Sequence, residues 1–210
     1  MGPLISGHYA GDMVRLASGM EPGDMLEIAA DTSDGLALPF EDATFDTVIC
    51  QFGAMYFANK ARGFSEIRRV LRPGGTLLFS VWGPLAHNEY ARSINEALAS
   101  ISSRWRPTFL ADVLHGYHDE KQIQADLAKA GFTHTPQFER MTRFVRTSSP
   151  RDVALAYCMG TPLRQELEQH AGVKLKAAID AAEARVRRHQ VHPGVYIGRT
   201  EARFVTVQGG

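Results

Sequence analysis

The sequence predicts an α/β fold, and residues 45–82 provide most of the support for that prediction. Residues 45–50 form a short apolar, β-branched run, typical of a parallel strand that is covered on both faces. In residues 60–71 apolar side chains recur at the spacing of one helix face. Arg-Pro-Gly-Gly at 72–75 ends that helix, and 76–82 is a second buried apolar run. Strand, helix, stop and strand together predict a right-handed βαβ unit.

The residues before this unit predict one helix and one strand. Residues 3–19 have a loose apolar face and favour a helix, which Glu-Pro-Gly-Asp at 21–24 ends. Residues 25–30 are apolar and favour a short buried strand, and 31–35 have the composition of a turn.

After the βαβ unit the pattern continues to alternate. Asp119 is placed to cap a helix over 120–130, and Gly131 is placed to end it. The further predicted elements are helices over 88–102, 150–169 and 174–189 and strands over 138–147 and 202–208. No repeat or linker interrupts the chain, so a single domain over 1–210 is expected.

Composition favours a small or neutral partner. The chain has 210 residues, of which 44% are hydrophobic and 22% charged, as in an ordinary globular domain. Lys and Arg number 23 and Asp and Glu number 23, so the formal net charge is zero. That balance supplies no broad attraction for nucleic acid or for an anionic membrane.

Cysteine usage and hydropathy indicate a cytoplasmic protein. Cys50 and Cys158 are the two cysteines, each in an apolar setting, and a disulfide scaffold would need more. No apolar run approaches the ~20 residues that cross a bilayer. The first residues do not have the charged and then apolar pattern of a secretory signal.

Three adjoining segments resemble one family. Residues 36–46 (LALPFEDATFD) are similar to the D-A-x-x-L-P-F-x-D-x-x-F-D stretch before strand four of class I S-adenosylmethionine-dependent methyltransferases of the ubiquinone and menaquinone biosynthesis type. Residues 50–57 (CQFGAMYF) resemble the end of that strand and the loop beyond it. Residues 66–75 (EIRRVLRPGG) resemble the helix and turn that lead into strand five. A weaker resemblance continues through 115–119 and 157–164.

The resemblance implies a Rossmann-like fold, with a mostly parallel sheet and an antiparallel last strand. It also implies S-adenosylmethionine as the cofactor, bound at the carboxyl ends of the strands, where open α/β sheets place ligands. The implied reaction is methyl transfer to a small-molecule acceptor, in which the protein mainly positions the reactants.

The same resemblance assigns residues to the cofactor. Glu27 matches the family's acidic position, although a strand-end residue that caps a loop is an equal alternative. Asp34 matches the position that bonds the adenine amino group, and an Asx-turn before Gly35 is its alternative. Gln51 and Phe52 end a buried strand and are favoured for the pocket over core packing of Phe52. The full set of predicted cofactor residues is Glu27, Ala29, Asp34, Gly35, Leu36, Gln51 and Phe52.

One part of the family pattern is missing. Asp31 and Ser33 stand where the family has the glycines of its cofactor loop, and the chain then joins almost at once to the residues before strand four. Strands two and three therefore have no counterpart, and the return to strand four must be made by an extended link. Much reduced cofactor affinity is expected, with a bare strand-one edge that invites association of a homo-oligomer.

On the acceptor side, His87, His115 and Tyr117 are the candidates, and a helical insertion at about 148–192 shapes the pocket. None of the three is singled out as a general base. His115 and His118 have ligand-like spacing, but no Cys or carboxylate cluster completes a metal site, so no metal is predicted.

Three functions other than methyl transfer have some or no support in the sequence. The main alternative is a non-catalytic remnant that acts as an interaction module through the exposed edge. A nicotinamide-dependent oxidoreductase ranks third, because its phosphate-binding loop is also missing. A serine hydrolase is disfavoured, because no Gly-x-Ser-x-Gly turn occurs.

Overall fold

The computed structural model describes residues 4–7, for which only the backbone is considered, and residues 35–102, 105–170 and 174–210. The strands are β1 (Leu4–Gly7), β2 (Phe45–Gln51), β3 (Leu71–Trp82), β4 (Gln137–Thr147), β5 (Gln190–His192) and β6 (Val195–Gln208). The α-helices are α1 (Lys60–Val70), α2 (Glu89–Ala99), α3 (Glu120–Lys129), α4 (Pro150–Met159), α5 (Leu163–Gln169) and α6 (Leu175–Val186). Short 3₁₀ helices span Ala54–Tyr56, Leu85–His87 and Arg187–His189, and a π-helix spans Phe109–Leu114.

The strands form one mixed sheet in the order β1-β2-β3-β6-β4, with β5 paired to β6. The pairs β1–β2 and β2–β3 are parallel, whereas β3–β6 is antiparallel. The predicted α/β fold with an antiparallel last strand is therefore confirmed.

The central β2–α1–β3 unit has the order that the sequence predicts. Asn59 caps α1 by accepting a hydrogen bond from the backbone N–H of Arg62 at 3.0 Å. The apolar stripe of α1 is buried, with Phe64 and Val70 inaccessible to solvent. Strand β3 begins at Leu71, earlier than predicted, because that residue already pairs with Phe45 across an irregular start to the ladder.

The predicted helix over 3–19 is wrong at Leu4–Gly7. These residues form β1, in parallel register with β2 from Leu4 opposite Thr47 to Gly7 opposite Cys50. Pairing with the edge of β2 gives the backbone N–H and C=O groups of these residues hydrogen-bond partners. That gain outweighs the weak apolar pattern that favours a helix. The strand predicted over 25–30 lies outside the described residues.

Two downstream predictions need correction, and one element was missed. The single helix over 150–169 is two helices, because Gly160 and Pro162 interrupt it between α4 and α5. Strand β6 starts at Val195 rather than 202, since Gly194 (φ 69°) turns the chain from β5 into a hairpin. The π-helix was not predicted. The cap of α3 is confirmed, with Asp119 accepting from the N–H of Lys121 at 2.9 Å and Gly131 at φ 91° beyond its end.

The chain divides into two compact units. The first contains the described residues of 1–82, 117–140 and 202–210, and the second contains those of 83–116 and 141–201. Fully buried side chains of the first include Phe64, Leu77 and Ile123, from α1, β3 and α3. Those of the second include Ile94, Leu98, Leu110, Leu163 and Leu167. The expectations of one domain and of an insertion at about 148–192 stay predictions.

Among the described residues, no helix combines the length and the apolar character that crossing a membrane requires. Both Cys50 and Cys158 are buried and free, as their apolar surroundings in the sequence indicate.

Candidate functional site at the carboxyl ends of β2 and β3

An aromatic pair stands at the carboxyl ends of β2 and β3. Phe52 follows the last residue of β2 and has a φ of 49°, a left-handed conformation that a bulky residue adopts at a cost of about 1–3 kcal/mol. Its N–H lies 3.1 Å from the carbonyl oxygen and 3.1 Å from the hydroxyl of Ser80. Its ring stacks on Trp82, with centroids 4.1 Å apart and planes 15° from parallel. The strained backbone therefore holds a half-exposed aromatic surface across two neighbouring strand ends.

The loop after β2 is fixed by the residue that ends the strand. The Cys50 thiol is buried and accepts hydrogen bonds from the N–H groups of Gly53 and Ala54. Burial raises the pKa of Cys50 to about 11, so the thiol stays protonated at neutral pH. Cys50 thus serves the packing of this loop and is a poor nucleophile.

Lys60, the first residue of α1, anchors the same loop. Its Nζ donates to the carbonyl oxygens of Met55 at 2.9 Å and Phe57 at 2.7 Å. It also lies 4.9 Å from the centroid of the Tyr117 ring, a cation–π contact. Partial burial lowers the pKa of Lys60, an effect that the carboxylate of Asp126 opposes. Lys60 was not predicted, because its role depends on carbonyls that only the folded loop brings together.

Tyr117 faces the interior of the first unit. It is buried, and its hydroxyl donates to Oδ2 of Asp126 at 3.2 Å. Burial, with the Asp126 carboxylate as a second cause, raises the pKa of Tyr117 well above its ordinary value. Such a phenol remains protonated, and this favours a supporting role for Tyr117 behind the loop.

Gly35 and Leu36 lie beside the start of α1, at the same end of β2 as Gln51 and Phe52. The Cα of Gly35 packs against Phe57, and a Cβ there would come 2.6 Å from Cε1 of that ring. The carbonyl oxygen of Leu36 accepts from Nε of Arg62 at 3.1 Å. Of the seven predicted cofactor residues, these four lie at one end of the sheet. Glu27, Ala29 and Asp34 lie outside the described residues.

From Leu36 the chain returns to the start of β2 through turns and bends rather than as a fully extended link, and residues 36–44 contain no helix, as the turn residues there indicate. Glu66 accepts from the N–H of Leu38 at 3.0 Å. Arg69 donates to the carbonyl oxygens of Leu38 at 2.9 Å and Phe40 at 2.7 Å. The N–H of Thr44 then donates to the carbonyl oxygen of Val70 at 2.9 Å. One face of α1 therefore supplies the partners that a helix or strand would otherwise give this link.

In the second unit, His87 forms a pair with a carboxylate. Nδ1 of His87 lies 2.9 Å from Oε2 of Glu201, and the two side chains are 45% and 12% exposed. His87 ends the short 3₁₀ helix Leu85–His87. Glu201 lies in β6 and was not predicted, since no local pattern connects two residues so far apart in the sequence.

Asn88 and His115 organise the backbone around this pair. Nδ2 of Asn88 donates to the carbonyl oxygens of Gly83 at 3.1 Å and Pro84 at 3.0 Å. Its Oδ1 accepts from the N–H of Glu201 at 3.1 Å. Nδ1 of His115, which is buried, donates to the carbonyl of Gly83 at 2.9 Å. His87 and His115 are thus connected through one polar network.

Two open cavities occupy the other end of the sheet, toward the amino ends of the parallel strands. One of about 400 Å³ is lined by Thr76, His134, Thr135, Gln137, Thr206, Val207 and Gln208. The other, of about 650 Å³, is lined by the link residues Leu38, Pro39, Phe40, Glu41 and Asp42 with Arg69. Neither includes a predicted site residue. Within the described ranges no three His, Cys, Asp or Glu side chains are grouped to hold a metal ion.

The first unit contains the part of the chain that matches a known family. A family model described as a methyltransferase domain matches residues 7–79. A solved structure of a candidate methyltransferase from Bacillus halodurans resembles the chain with a TM-score of 0.50 at 19% identity, covering 89% of this chain and 72% of that one. At that identity the likeness concerns the fold alone.

Sequence relatives include three biosynthetic methyltransferases. Demethylmenaquinone methyltransferase of Streptomyces griseus is 35% identical over 109 residues, covering 48% of this chain and 47% of that protein. Ubiquinone/menaquinone biosynthesis C-methyltransferase of Cronobacter sakazakii is 35% identical over 107 residues, covering 46% and 42%. Malonyl-[acyl-carrier protein] O-methyltransferase of Geobacter sulfurreducens is 30% identical over 107 residues, covering 51% and 38%. The chain spans about half the length of these relatives or less.

Proposed function

We propose that this chain is a class I S-adenosylmethionine-dependent methyltransferase, which transfers a methyl group from S-adenosylmethionine to a small-molecule acceptor. The observation that carries the proposal is the site at the carboxyl end of β2, inside the part of the chain that matches the family. There a strained Phe52 stacks on Trp82 at the position where open α/β sheets bind ligands.

The described residues fit one side of the cofactor. Gly35 lets the backbone pack closely against the Phe57 ring, and Leu36 and Phe52 supply apolar surface for a flat base. Gln51 supplies an amide that both donates and accepts hydrogen bonds. By resemblance, Glu27, Ala29 and Asp34 complete the set. When bound, the cofactor supplies an electrophilic methyl group on a sulfonium centre.

The chain's own contribution is position and exclusion of water. The aromatic surface of Phe52 and Trp82 suits a cationic ligand, because ring faces attract cations. Lys60 and Tyr117 hold the loop behind Phe52, so the site is supported from the core side. Such preorganisation is what a transfer between two bound molecules requires of a protein.

The acceptor belongs to the same proposal. One relative is named as a demethylmenaquinone methyltransferase and another for ubiquinone and menaquinone biosynthesis, so demethylmenaquinone is the first acceptor to try. We expect no nucleic-acid or membrane partner, because the formal net charge is zero, and we expect the protein to act in the cytoplasm. Association through a sheet edge stays a prediction, to be checked by size-exclusion chromatography.

Calorimetry with S-adenosylhomocysteine tests the proposal. We expect saturable one-to-one binding, weakened because Asp31 and Ser33 replace the family's glycines. Phe52→Ala should weaken it further by about tenfold, through loss of the stacked ring. The matched control is Phe144→Ala, which removes an aromatic side chain that is 71% exposed on β4.

Two results would count against the proposal. The first is the absence of binding heat at millimolar ligand, with a folded protein. The second is an equal effect of Phe52→Ala and Phe144→Ala. Tight binding to a monomer would contradict only the expected weakening, and would leave the assigned function in place.

A further inference from the structure

Ser80 is a polar residue buried within an apolar strand of the first unit. It lies in β3 between Phe79 and Val81, and 2% of its surface is exposed. Its neighbour across the parallel ladder is Gln51, the last residue of β2. Burial of a hydroxyl costs free energy unless the group forms hydrogen bonds. The partner of this hydroxyl therefore indicates its role.

The hydroxyl of Ser80 accepts a hydrogen bond from the N–H of Phe52, the residue that follows β2. That N–H lies 3.1 Å from Oγ and 3.1 Å from the carbonyl oxygen of Ser80, so one donor is shared between two acceptors. Any residue at position 80 supplies the carbonyl oxygen, whereas the second acceptor comes from the serine side chain. The hydroxyl thus adds a bond at a residue whose φ of 49° is otherwise unfavourable.

Ser80 and Trp82 hold the same residue from one face of β3. Side chains two positions apart in a strand point to the same face of the sheet. Ser80 binds the backbone of Phe52, and Trp82 stacks on its ring with centroids 4.1 Å apart. The backbone and the ring of Phe52 are therefore fixed at two points by a single strand.

We propose that Ser80 is a positioning residue for the cofactor, which acts through Phe52 and not through contact with the ligand. The proposal rests on the function proposed above, since it requires that Phe52 forms part of the cofactor site. Without the hydroxyl, the N–H of Phe52 keeps a single acceptor, and the left-handed conformation loses part of what stabilises it. Phe52 then leaves Trp82 in a larger fraction of the molecules, and the apparent affinity for the cofactor falls by the fraction that is lost.

Amide exchange measured by NMR tests the positioning step on the protein without ligand. In Ser80→Ala the N–H of Phe52 should exchange with solvent about fivefold faster than in the wild type, because one of its two acceptors is lost. Ser80→Thr keeps the hydroxyl and should restore the wild-type rate. Ser65→Ala removes a hydroxyl that bonds the carbonyl of Arg62 within α1, and as the matched control it should leave the rate unchanged. An unchanged rate in Ser80→Ala would overturn the proposal, whatever the cofactor affinity.

Calorimetry with S-adenosylhomocysteine tests the consequence for binding. Ser80→Ala should weaken the affinity about fivefold, and Ser80→Thr should stay within about twofold of the wild type. Phe52→Gly removes both the ring and the strain, so the addition of Ser80→Ala to it should have no further effect.

The outcomes of the calorimetry separate this inference from the proposed function. Effects of the two substitutions that add would overturn the proposal, because Ser80 would then act independently of Phe52. Equal affinity of Ser80→Ala and the wild type would also overturn it, and would leave the proposed function in place. A folded wild type that binds no S-adenosylhomocysteine would reject both.

Discussion

Two arginines of this protein make similar networks of charged hydrogen bonds with different structural roles. Arg69 on α1 bonds Glu66, Asp42 and two backbone carbonyls of the returning link. Arg151 on α4 bonds Asp180 and Glu183 of α6, side chain to side chain. The Glu66 partner is 9% exposed, whereas Arg151 and Asp180 are 44% and 43% exposed.

The difference shows which part of such a network stabilises a fold. The link carbonyls at Leu38 and Phe40 are held by Arg69 rather than by neighbouring strand or helix backbone. Removing Arg69 leaves them to water or to nothing, and buried polar groups without partners are costly. Helices α4 and α6 keep their own backbone hydrogen bonds without Arg151. Exposed ion pairs between formed helices add little.

Arg69→Ala should therefore have the largest effect on stability. We expect a loss of about 2–3 kcal/mol in the free energy of unfolding, because several bonds are lost together and Glu66 loses its nearer cation, keeping the N–H of Leu38 and Arg62 at 3.6 Å. Urea unfolding followed by circular dichroism measures it. Arg69→Lys should recover only part of the loss, since a single ammonium cannot bond two carbonyls and two carboxylates in a planar fork. Full recovery of stability by lysine would mean that Arg69 acts through its charge alone and not through hydrogen bonds to the carbonyls of the link.

A second, smaller effect should depend on pH. The hydrogen bond from Arg69, followed by that from the N–H of Leu38, holds the pKa of Glu66 below its ordinary value in spite of burial. A carboxyl with a lowered folded pKa adds stability above its unfolded pKa of about 4.3, and that stability is lost as pH falls through the folded pKa. The urea midpoint of the wild type should thus drop below about pH 4 more steeply than that of Glu66→Gln. Parallel curves would show that Glu66 is not the titrating group.

Arg151→Ala should have the smallest effect. Its hydrogen bonds to Glu183 and Asp180 raise the pKa of Arg151, but Arg151 and Asp180 are exposed to solvent, where water and salt weaken the interaction. Glu183 is 14% exposed, and it keeps its ion pair with Arg187 when Arg151 is removed. The urea midpoint should move by no more than the scatter between repeats, and added sodium chloride should remove even that. A shift comparable to that of Arg69→Ala would mean that charge, rather than backbone satisfaction, governs both networks.

Local sequence was sufficient for the central fold. The β2–α1–β3 unit, the capped helix α3 and the return to β2 without a helix were all predicted, because each depends on apolar spacing or on turn residues that neighbours supply. The first strand was not. Leu4–Gly7 pairs with β2, and Leu4 is opposite Thr47, which lies 43 residues later in the sequence. Pairing with this distant strand stabilised the segment more than its loose apolar face would stabilise a helix.

The candidate site divides in the same way. Gln51 and Phe52 were predicted, because they directly follow a recognisable strand. Trp82 ends the next predicted strand and was within reach of the same reasoning. Lys60 and Glu201 were missed, since their partners are a folded loop and a histidine 114 positions away. His115 was named, but its buried bond to the Gly83 carbonyl was not foreseeable.

The sequence by itself determined the fold class, and it predicted a resemblance to a methyltransferase family and the strand end at which a cofactor is expected. Each of these depends on short segments of sequence, in which the spacing of apolar residues sets the element and a glycine or proline ends it. Only the tertiary structure decided that Phe52 adopts a left-handed backbone against Trp82, and that Glu201 turns its carboxylate toward His87. Those features depend on distant backbone groups that must find partners once buried, and no local pattern encodes which partners they find.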